Sequence, residues 1–162
     1  MPEDPTLESL LEEERALVLE RFDYDFAWAL GSHMRDEASA RALPVAIEVT
    51  HGLDRVFFAL MPGATPDNFD WTHRKAAVVY RLHHSSLYMR IAAQQGGYDF
   101  NARFRLPETE FAASGGAVPL IVRNAGLIGV AAVSGLPDVD DHRLVIESLR
   151  SLQAEPHRRK EV

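Results

Sequence analysis

The chain has no cysteine among its 162 residues, and basic residues are in short supply. The lack of cysteine excludes disulfides, zinc–thiolate sites and thiol nucleophiles together. Lysine and arginine number 17 against 24 aspartates and glutamates, which gives a net charge of −7. Nucleic-acid-binding surfaces need a concentrated basic face, so we expect no nucleic-acid partner. The basic run His157–Lys160 falls in a tail, residues 156–162, that we expect to be disordered.

Long apolar runs are missing as well. No stretch approaches the roughly 20 apolar residues needed to span a bilayer, and the N-terminal MPEDPTLE is acidic instead of apolar. We therefore expect no membrane contact, no secretory signal and a cytoplasmic location. The content of 46% hydrophobic residues is typical of a globular domain. We assign residues 1–155 to a single domain.

Motifs for metal binding and catalysis are also absent. No His-x-x-x-His or His-Glu-x-x-His pair occurs, and the adjacent His83 and His84 would diverge by about 100° on a helix. We therefore predict no metal site, although a single histidine can still bind a haem iron. No Gly-x-Ser-x-Gly elbow surrounds a serine, which disfavours a serine hydrolase. The sequence leaves enzymatic activity undecided.

Apolar residues at three- and four-residue spacing predict helices in both terminal parts of the chain. The first runs over about residues 6–20, and the second is capped by Asp23 and ends near Arg41. Gly31 lies inside the second helix, where glycine is unfavourable. It indicates either that another backbone approaches closely or that the helix tolerates a glycine for which there is no structural need. A final helix, capped by Asp138 or Asp140, ends near Leu152.

Two hairpins and a long helix fill the centre of the chain. Alternating residues predict strands at Pro44–Thr50 and Arg55–Met61, then at Val118–Val122 and Leu127–Val133. A helix capped by Asp67 or Asn68 is predicted between the hairpins, from about Phe69 to Gln95, and a short helix is expected after Pro107. Helices before, between and after two hairpins predict an α+β fold on a mostly antiparallel sheet.

The predicted long helix is apolar on two sides. One stripe faces the expected sheet and consists of Trp71, Val78, Leu82 and Met89. Nearly opposite lies a second apolar set, with His84 beside it: Tyr80, Leu87 and Ile91. Surface helices are normally polar on the side away from the core. The second set therefore predicts packing against another copy of the chain, as a dimer or an assembly of dimers.

Polar groups border the sheet-facing stripe of this helix. Arg74 and Ser85 flank one edge, while Lys75 and Ser86 flank the other. The two cations have two interpretations. Their apolar stems lie on the sheet while their charged ends reach solvent, or the two charges form a site for an anionic ligand. His84 is interpreted either as an interface or capping residue or as a haem ligand.

Two small-residue segments flank the second hairpin. Gly115-Gly116 precedes its first strand, and Ser134-Gly135 follows its last. Tight backbone turns explain both segments. Alternatively, both segments border a ligand pocket, and the helix that starts beyond Gly135 offers backbone donors to an anion.

Four motifs resemble the haem-degrading-domain superfamily (GlcG-like), in its small free-standing branch. They are the Pro-Gly-x-Thr-Pro-Asp-Asn…Trp-x-x-Arg-Lys segment at Pro62–Lys75, His-Ser-Ser at His84–Ser86, Gly-Gly at Gly115–Gly116, and Val-Ser-Gly-Leu-Pro…Asp-His at Val133–His142. The resemblance implies a profilin-like or PAS-like three-layer α/β/α sandwich and a symmetric oligomer. It also makes haem a candidate ligand.

This chain departs from the branch at two positions. Ser114 stands where the branch usually has histidine, and Arg90 stands where it usually has glycine. We expect Arg90 to project toward a neighbouring subunit. The leading hypothesis is a homo-oligomeric protein that binds a small anionic or planar ligand, haem or similar. The alternatives are an adaptor or assembly protein without a ligand, and an enzyme acting on haem or a small organic acid.

Overall fold

The computed structural model describes residues 3–155, which form six helices and one sheet. The tail of residues 156–162, expected to be disordered, lies outside the described part. The helices are α1 (Leu7–Ala16), α2 (Tyr24–Ala40), α3 (Pro66–Leu82), α4 (Ser86–Gly96), α5 (Phe100–Phe104) and α6 (Asp138–Gln153). The strands are β1 (Ala46–His51), β2 (Asp54–Leu60), β3 (Ala117–Val122) and β4 (Gly126–Ser134).

The sheet is antiparallel throughout, in the order β2-β1-β4-β3. Each predicted hairpin forms as expected: β1 pairs with β2, and β3 pairs with β4. The two hairpins join through β1 and β4, where Ala46 lies opposite Ser134 and His51 opposite Gly129. The start of β1 and the end of β4 thus meet at one end of the sheet, beside the start of α6.

Helices cover both faces of this sheet. On one face, α2 and α6 pack against alternate strand residues that include Ile47, Val49, Ala131 and Val133. On the other face, α3 places Ala76 and Val79 against Ala117, Val130 and Ala132. The alternation of side chains along each strand supplies the two apolar layers. The α+β class and the three-layer sandwich are confirmed.

Helix α2 begins at the predicted cap, since Asp23 accepts a hydrogen bond from the Phe26 backbone amide at 2.7 Å. Gly31 does meet a close neighbour, but the neighbour is a side chain and not a backbone. A Cβ at Gly31 would lie 2.2 Å from Cγ of Phe57, a residue of β2. The glycine therefore admits an aromatic ring between α2 and the sheet.

The long helix predicted for Phe69–Gln95 is wrong, because the chain forms two helices there. The first, α3, begins earlier, at a Thr65 cap whose backbone amide donates to the Asn68 side chain at 2.9 Å. It stops at His83, which adopts a left-handed conformation with φ of 62°. Ser85 then caps α4 by accepting from the Tyr88 amide at 3.1 Å. Serine side chains at such positions compete with helix continuation.

The break removes the outward apolar face that predicted self-association. Leu87 is fully buried and Ile91 is nearly so, packed against Leu10 of α1 and Val139 of α6. Tyr80 is half-buried, and its hydroxyl donates to the Gly52 carbonyl of the same chain. These contacts lie within one molecule, so the helix gives no evidence for a neighbouring copy.

Smaller differences concern one helix end and one loop. Helix α1 ends at Ala16, not near residue 20. The helix expected after Pro107 is a turn, and α5 lies before it. Within residues 3–155, no helix combines the length and the apolar character needed to cross a membrane.

We expect Gly31→Ala to lower the free energy of unfolding by about 1–3 kcal/mol, because the added methyl would overlap the Phe57 ring. An exposed helical glycine would instead gain about 1 kcal/mol from the same change. Chemical denaturation measures the difference. In a Phe57→Leu background the cost of Gly31→Ala should disappear. A stabilising effect of Gly31→Ala in the wild-type background would contradict the close contact.

Candidate functional site

A buried ion pair lies where the predicted ligand site was placed. The Lys75 ammonium donates to Oδ2 of Asp141 at 3.0 Å and to the Val133 carbonyl at 3.2 Å. Both side chains are almost completely buried, at 3% and 1% exposure. Lys75 comes from α3 on one face of the sheet and Asp141 from α6 on the other. The pair therefore connects the two outer layers past the end of β4.

Asp141 also organises the start of α6. Its carboxylate accepts from the backbone amides of Leu136 at 3.0 Å and Gly135 at 3.3 Å. The cap predicted at Asp138 or Asp140 is wrong: residue 137 occupies the cap position and makes no side-chain bond there. Asp141, the third aspartate of the first turn, instead accepts hydrogen bonds from the loop that precedes the helix.

Burial disfavours the charged form of each partner more than their mutual attraction favours it. Desolvation lowers the pKa of Lys75 from its usual value, against the opposing effect of Asp141. Burial likewise raises the pKa of Asp141 to about 6, against the opposing effect of Lys75 and the two backbone donors. The two shifts agree in disfavouring charge, as expected for an ion pair withdrawn from water.

Two glycines of the predicted site accommodate this pair and the helix beside it. At Gly116, with φ of 135°, a Cβ would lie 2.9 Å from the Lys75 ammonium and 2.3 Å from the Val133 carbonyl oxygen. At Gly115 it would lie 2.5 Å from the Asp138 carbonyl oxygen. Both glycines therefore satisfy close packing, which explains their presence without a ligand.

The serines nearest to this pair have defined places within the chain. Ser86, fully buried, accepts from the Ala117 amide at 3.0 Å and so ties α4 to the start of β3. Ser134 is buried at the end of β4, and Gly135 beside it makes a turn with φ of 148°. The structure thus brings together Lys75, Ser86, Gly115, Gly116, Ser134 and Gly135 around Asp141.

Arg74 lies apart from that group. Its guanidinium stacks over the Trp71 ring at 4.0 Å from the centroid and donates to Asp70 at 2.8 Å. It also reaches the Glu108 carbonyl at 3.5 Å. Adjacent residues on a helix diverge by about 100°, which carries Arg74 away from the core while Lys75 points into it.

Arg90 makes its hydrogen bonds within its own chain, and the expectation that it projects toward a neighbouring subunit stays a prediction. Its guanidinium donates to Asp138 at 2.5 Å and to Asp4 at 2.9 Å. Asp138 in turn accepts from the Gly115 amide at 2.9 Å. The arginine thus connects the N-terminal segment, α4 and the paired glycines inside one molecule.

His84 and Ser85 meet a carboxylate from α1. Glu14 accepts from the Ser85 backbone amide at 2.9 Å, and its other oxygen lies 2.9 Å from Nδ1 of His84. The imidazole is 38% exposed and lies against the Tyr88 ring, with 4.6 Å between centroids. Within residues 3–155 its Nε2 has no hydrogen-bond partner. A second pair of this kind joins His142 to Glu13 at 2.6 Å.

Sequence reasoning missed the carboxylates that hold these groups. Asp141 was not among the predicted site residues, although three aspartates in one first turn exceed what a helix start requires. No local sequence pattern indicated a role for Glu13 or Glu14, because their partners lie about 70 or more positions away. In the part of the chain that the structure describes, no three His, Asp or Glu side chains are grouped to hold a metal ion.

Two concave regions lie elsewhere on the molecule. The larger, of about 610 Å³, lies between the last turns of α1 and α6 and is lined by Arg15, Arg21 and Arg123 above Leu19, Phe26 and Leu152. The smaller, of about 130 Å³, lies between α1 and α6 beside His142. Neither contains any residue of the predicted ligand site.

The fold and sequence identify the class of protein and then the family. Among solved structures, Ybr137w protein has a TM-score of 0.84 at 28% identity, over 93% of this chain and 90% of that one. A PduOC:heme complex has a TM-score of 0.67 at 16% identity, over 80% and 94%. These are α/β/α sandwiches of the same type as this chain.

The sequence match is specific to one family. The model described as "Haem degrading protein HbpS-like" matches residues 22–150. The UPF0303 protein of Streptomyces avermitilis is 41% identical over 152 residues, which cover 94% of this chain and 93% of that relative. The chain belongs to the HbpS-like haem-degrading protein family.

We expect Asp141→Asn to lower the free energy of unfolding by about 3–5 kcal/mol, because it leaves the buried Lys75 ammonium without a counter-charge. Asp140→Asn is the matched control, since its 3.6 Å pair with Arg143 is largely exposed and should cost less than about 1 kcal/mol. Urea denaturation measures both. Equal costs for the two variants would contradict a special role for Asp141.

The pH dependence of the Asp141→Asn effect has a defined sign. Because the pKa of Asp141 is raised from 3.8 to about 6 in the folded state, folding favours the protonated acid. That contribution is complete below about pH 3.8 and is lost as pH rises through about 6. The stability difference between wild type and Asp141→Asn should therefore grow as pH falls from about 7 to about 4. A difference that shrinks would overturn this assignment.

Proposed function

We propose that this protein binds haem, or a similar planar anionic ligand, with His84 as the ligand to the iron. The observation that carries the proposal is the Glu14–His84 pair at a break between two helices, on a chain of the HbpS-like family. A structurally similar protein forms a heme complex. Cytoplasmic location remains a prediction from the N-terminal sequence.

The environment of His84 suits an iron ligand. An ionised carboxylate can only accept a hydrogen bond, so contact with Glu14 places the proton of a neutral imidazole on Nδ1. The lone pair then lies on Nε2, which has no partner within residues 3–155. Metal-binding histidines are commonly oriented by such a carboxylate. Bound haem would supply an iron centre, and the His84 imidazole would hold it through Nε2.

The group around Lys75 supports ligand binding less strongly. Arg74 is engaged with Asp70, and the Lys75 ammonium is already neutralised by Asp141. An anionic ligand beside Ser85, Ser86, Gly115, Gly116, Ser134 and Gly135 would have to compete with that carboxylate. We retain these residues as a proposed ligand-binding surface that His84 adjoins. The Ser148 hydroxyl lies 3.1 Å from Nδ1 of His33, but it is fully buried and already donates to the Leu144 carbonyl, so we base no enzymatic activity on it and the proposal stops at binding.

Hemin titration followed by Soret absorbance tests the proposal. We expect saturable binding at micromolar protein, weakened at least tenfold in His84→Ala because that variant lacks the imidazole that would hold the iron. Glu14→Gln should weaken binding less and alter the Soret position, since the orienting carboxylate becomes neutral. Lack of saturable binding by the wild-type protein would overturn the proposal.

His83→Asn is the matched control for His84→Ala. His83 is also a histidine at the helix break, but its side chain is exposed, and no carboxylate among residues 3–155 holds it. Asparagine tolerates the left-handed backbone of this position. Hemin affinity should stay within about twofold of wild type. Equal losses in both variants would show that His84 is not the specific ligand.

We also propose self-association, on evidence other than the long helix. Strand β2 is an open edge of the sheet, whereas Leu19 pairs with Val122 of the opposite edge strand β3. Large exposed apolar side chains gather on β2, its turn and the adjoining face of α2: Tyr24, Trp28, Leu53, Phe58 and Leu60. Unpaired strand edges with exposed apolar side chains beside them are typical of interfaces between subunits.

Sedimentation velocity tests this second proposal. We expect a dimer or larger assembly for the wild type and a shift toward monomer for Phe58→Lys/Leu60→Lys, because charges on an edge strand oppose pairing. Ala102→Lys/Ala125→Lys, at two exposed positions away from β2, is the charge-matched control and should leave the assembly unchanged. A monomeric wild type at about 100 μM would exclude strong self-association through this edge.

A further inference from the structure

The cleft of about 610 Å³ has a defined frame made by the segment that joins α1 to α2. Leu19 of this segment donates to the Ile121 carbonyl and accepts from the Arg123 amide, both at 2.8 Å. The Gln153 side chain donates to the Ala16 carbonyl at 2.9 Å, which joins the ends of α6 and α1. These bonds hold the walls of the cleft in place without filling it.

The floor of the cleft is apolar. Leu19 and Phe26 are buried side chains of the main core, and Leu152 packs against the same core. The volume of about 610 Å³ falls within the range of roughly 300–1,000 Å³ typical of small-molecule sites. The cleft therefore offers an apolar ligand body a surface continuous with the core.

The rim of the cleft is positively charged in a protein whose net charge is −7. The rim contains one acidic residue, Glu20, and three arginines: Arg15, Arg21 and Arg123. Arg123 pairs with Glu20 at 3.0 Å, but both side chains are mainly exposed, so solvent weakens that bond. Within residues 3–155, Arg15 and Arg21 form no ion pair.

The balance of charge at this rim favours an anion. Three guanidinium groups and one carboxylate give the rim a net side-chain charge of +2. The C-terminal ends of α1 and α6 point toward the cleft and offset about half a charge each, which leaves the rim positive. Guanidinium groups bind carboxylates through paired hydrogen bonds.

We propose that this cleft binds an amphipathic organic acid, with the apolar body on Leu19, Phe26 and Leu152 and the carboxylate at Arg15 and Arg21. The site is separate from His84 and from the Lys75–Asp141 pair, because neither region shares a lining residue with it. Binding here requires no metal and no haem.

Isothermal titration calorimetry with sodium decanoate tests the assignment on the full chain. We expect one saturable site, weakened at least tenfold in Arg15→Gln/Arg21→Gln. Arg35→Gln/Arg41→Gln is matched in charge, involves two exposed arginines of α2 and its C-terminal cap outside the cleft, and should bind as wild type does. Equal affinity of the two double variants, or no saturable binding by wild type, would overturn the proposal.

Two further variants and a neutral ligand distinguish binding in this cleft from binding at another part of the molecule. Ala16→Trp places an indole on the wall of the cleft at an exposed position, so it should abolish decanoate binding without lowering the thermal midpoint.

Decanol should bind at least tenfold more weakly than decanoate, and equal affinity would remove the role of the arginines. His84→Ala should leave decanoate affinity unchanged. Loss of decanoate binding in that variant would place the acid at the proposed haem site instead.

Discussion

The Lys75 ammonium and the Asp141 carboxylate meet past the end of β4, where a helix from each side of the sheet contributes one partner. Neither group can be buried alone, because an unpaired charge in an apolar interior costs several kcal/mol. Their pairing therefore fixes the position of α3 relative to α6. It also dictates the close turn at Gly116, since a side chain there would occupy the space of the ammonium.

The N-terminal segment extends this arrangement. The family match begins at residue 22, yet Asp4, Glu13 and Glu14 precede it and supply carboxylates to the domain. They contact Arg90, His142 and His84 respectively. Helix α1 thus contributes few apolar contacts beyond Leu10 and the adjoining Leu17, but it determines the orientation of both carboxylate-held histidines. The proposed haem ligand depends on it directly.

Local patterns predicted the elements whose stabilisation is local. Both hairpins, the Asp23 cap and the two apolar layers followed from strand alternation and capping chemistry. The helix break at His83 was not predicted, because apolar residues recur at helical intervals on both sides of it, as at Val78, Leu82 and Met89. Leu87 is buried against α1 and α6, and its burial produces the same periodicity as a continuous helix would.

The sequence by itself determined the α+β class, the strand pairing within each hairpin and the family, because each depends on neighbouring residues or on whole motifs. Only the tertiary structure decided which charges are available to a ligand. Lys75 and Arg74 are adjacent in sequence, but one is neutralised by a residue 66 positions later and the other by its own helix. The open arginine rim and the oriented His84 likewise arise from distant segments that only folding brings together.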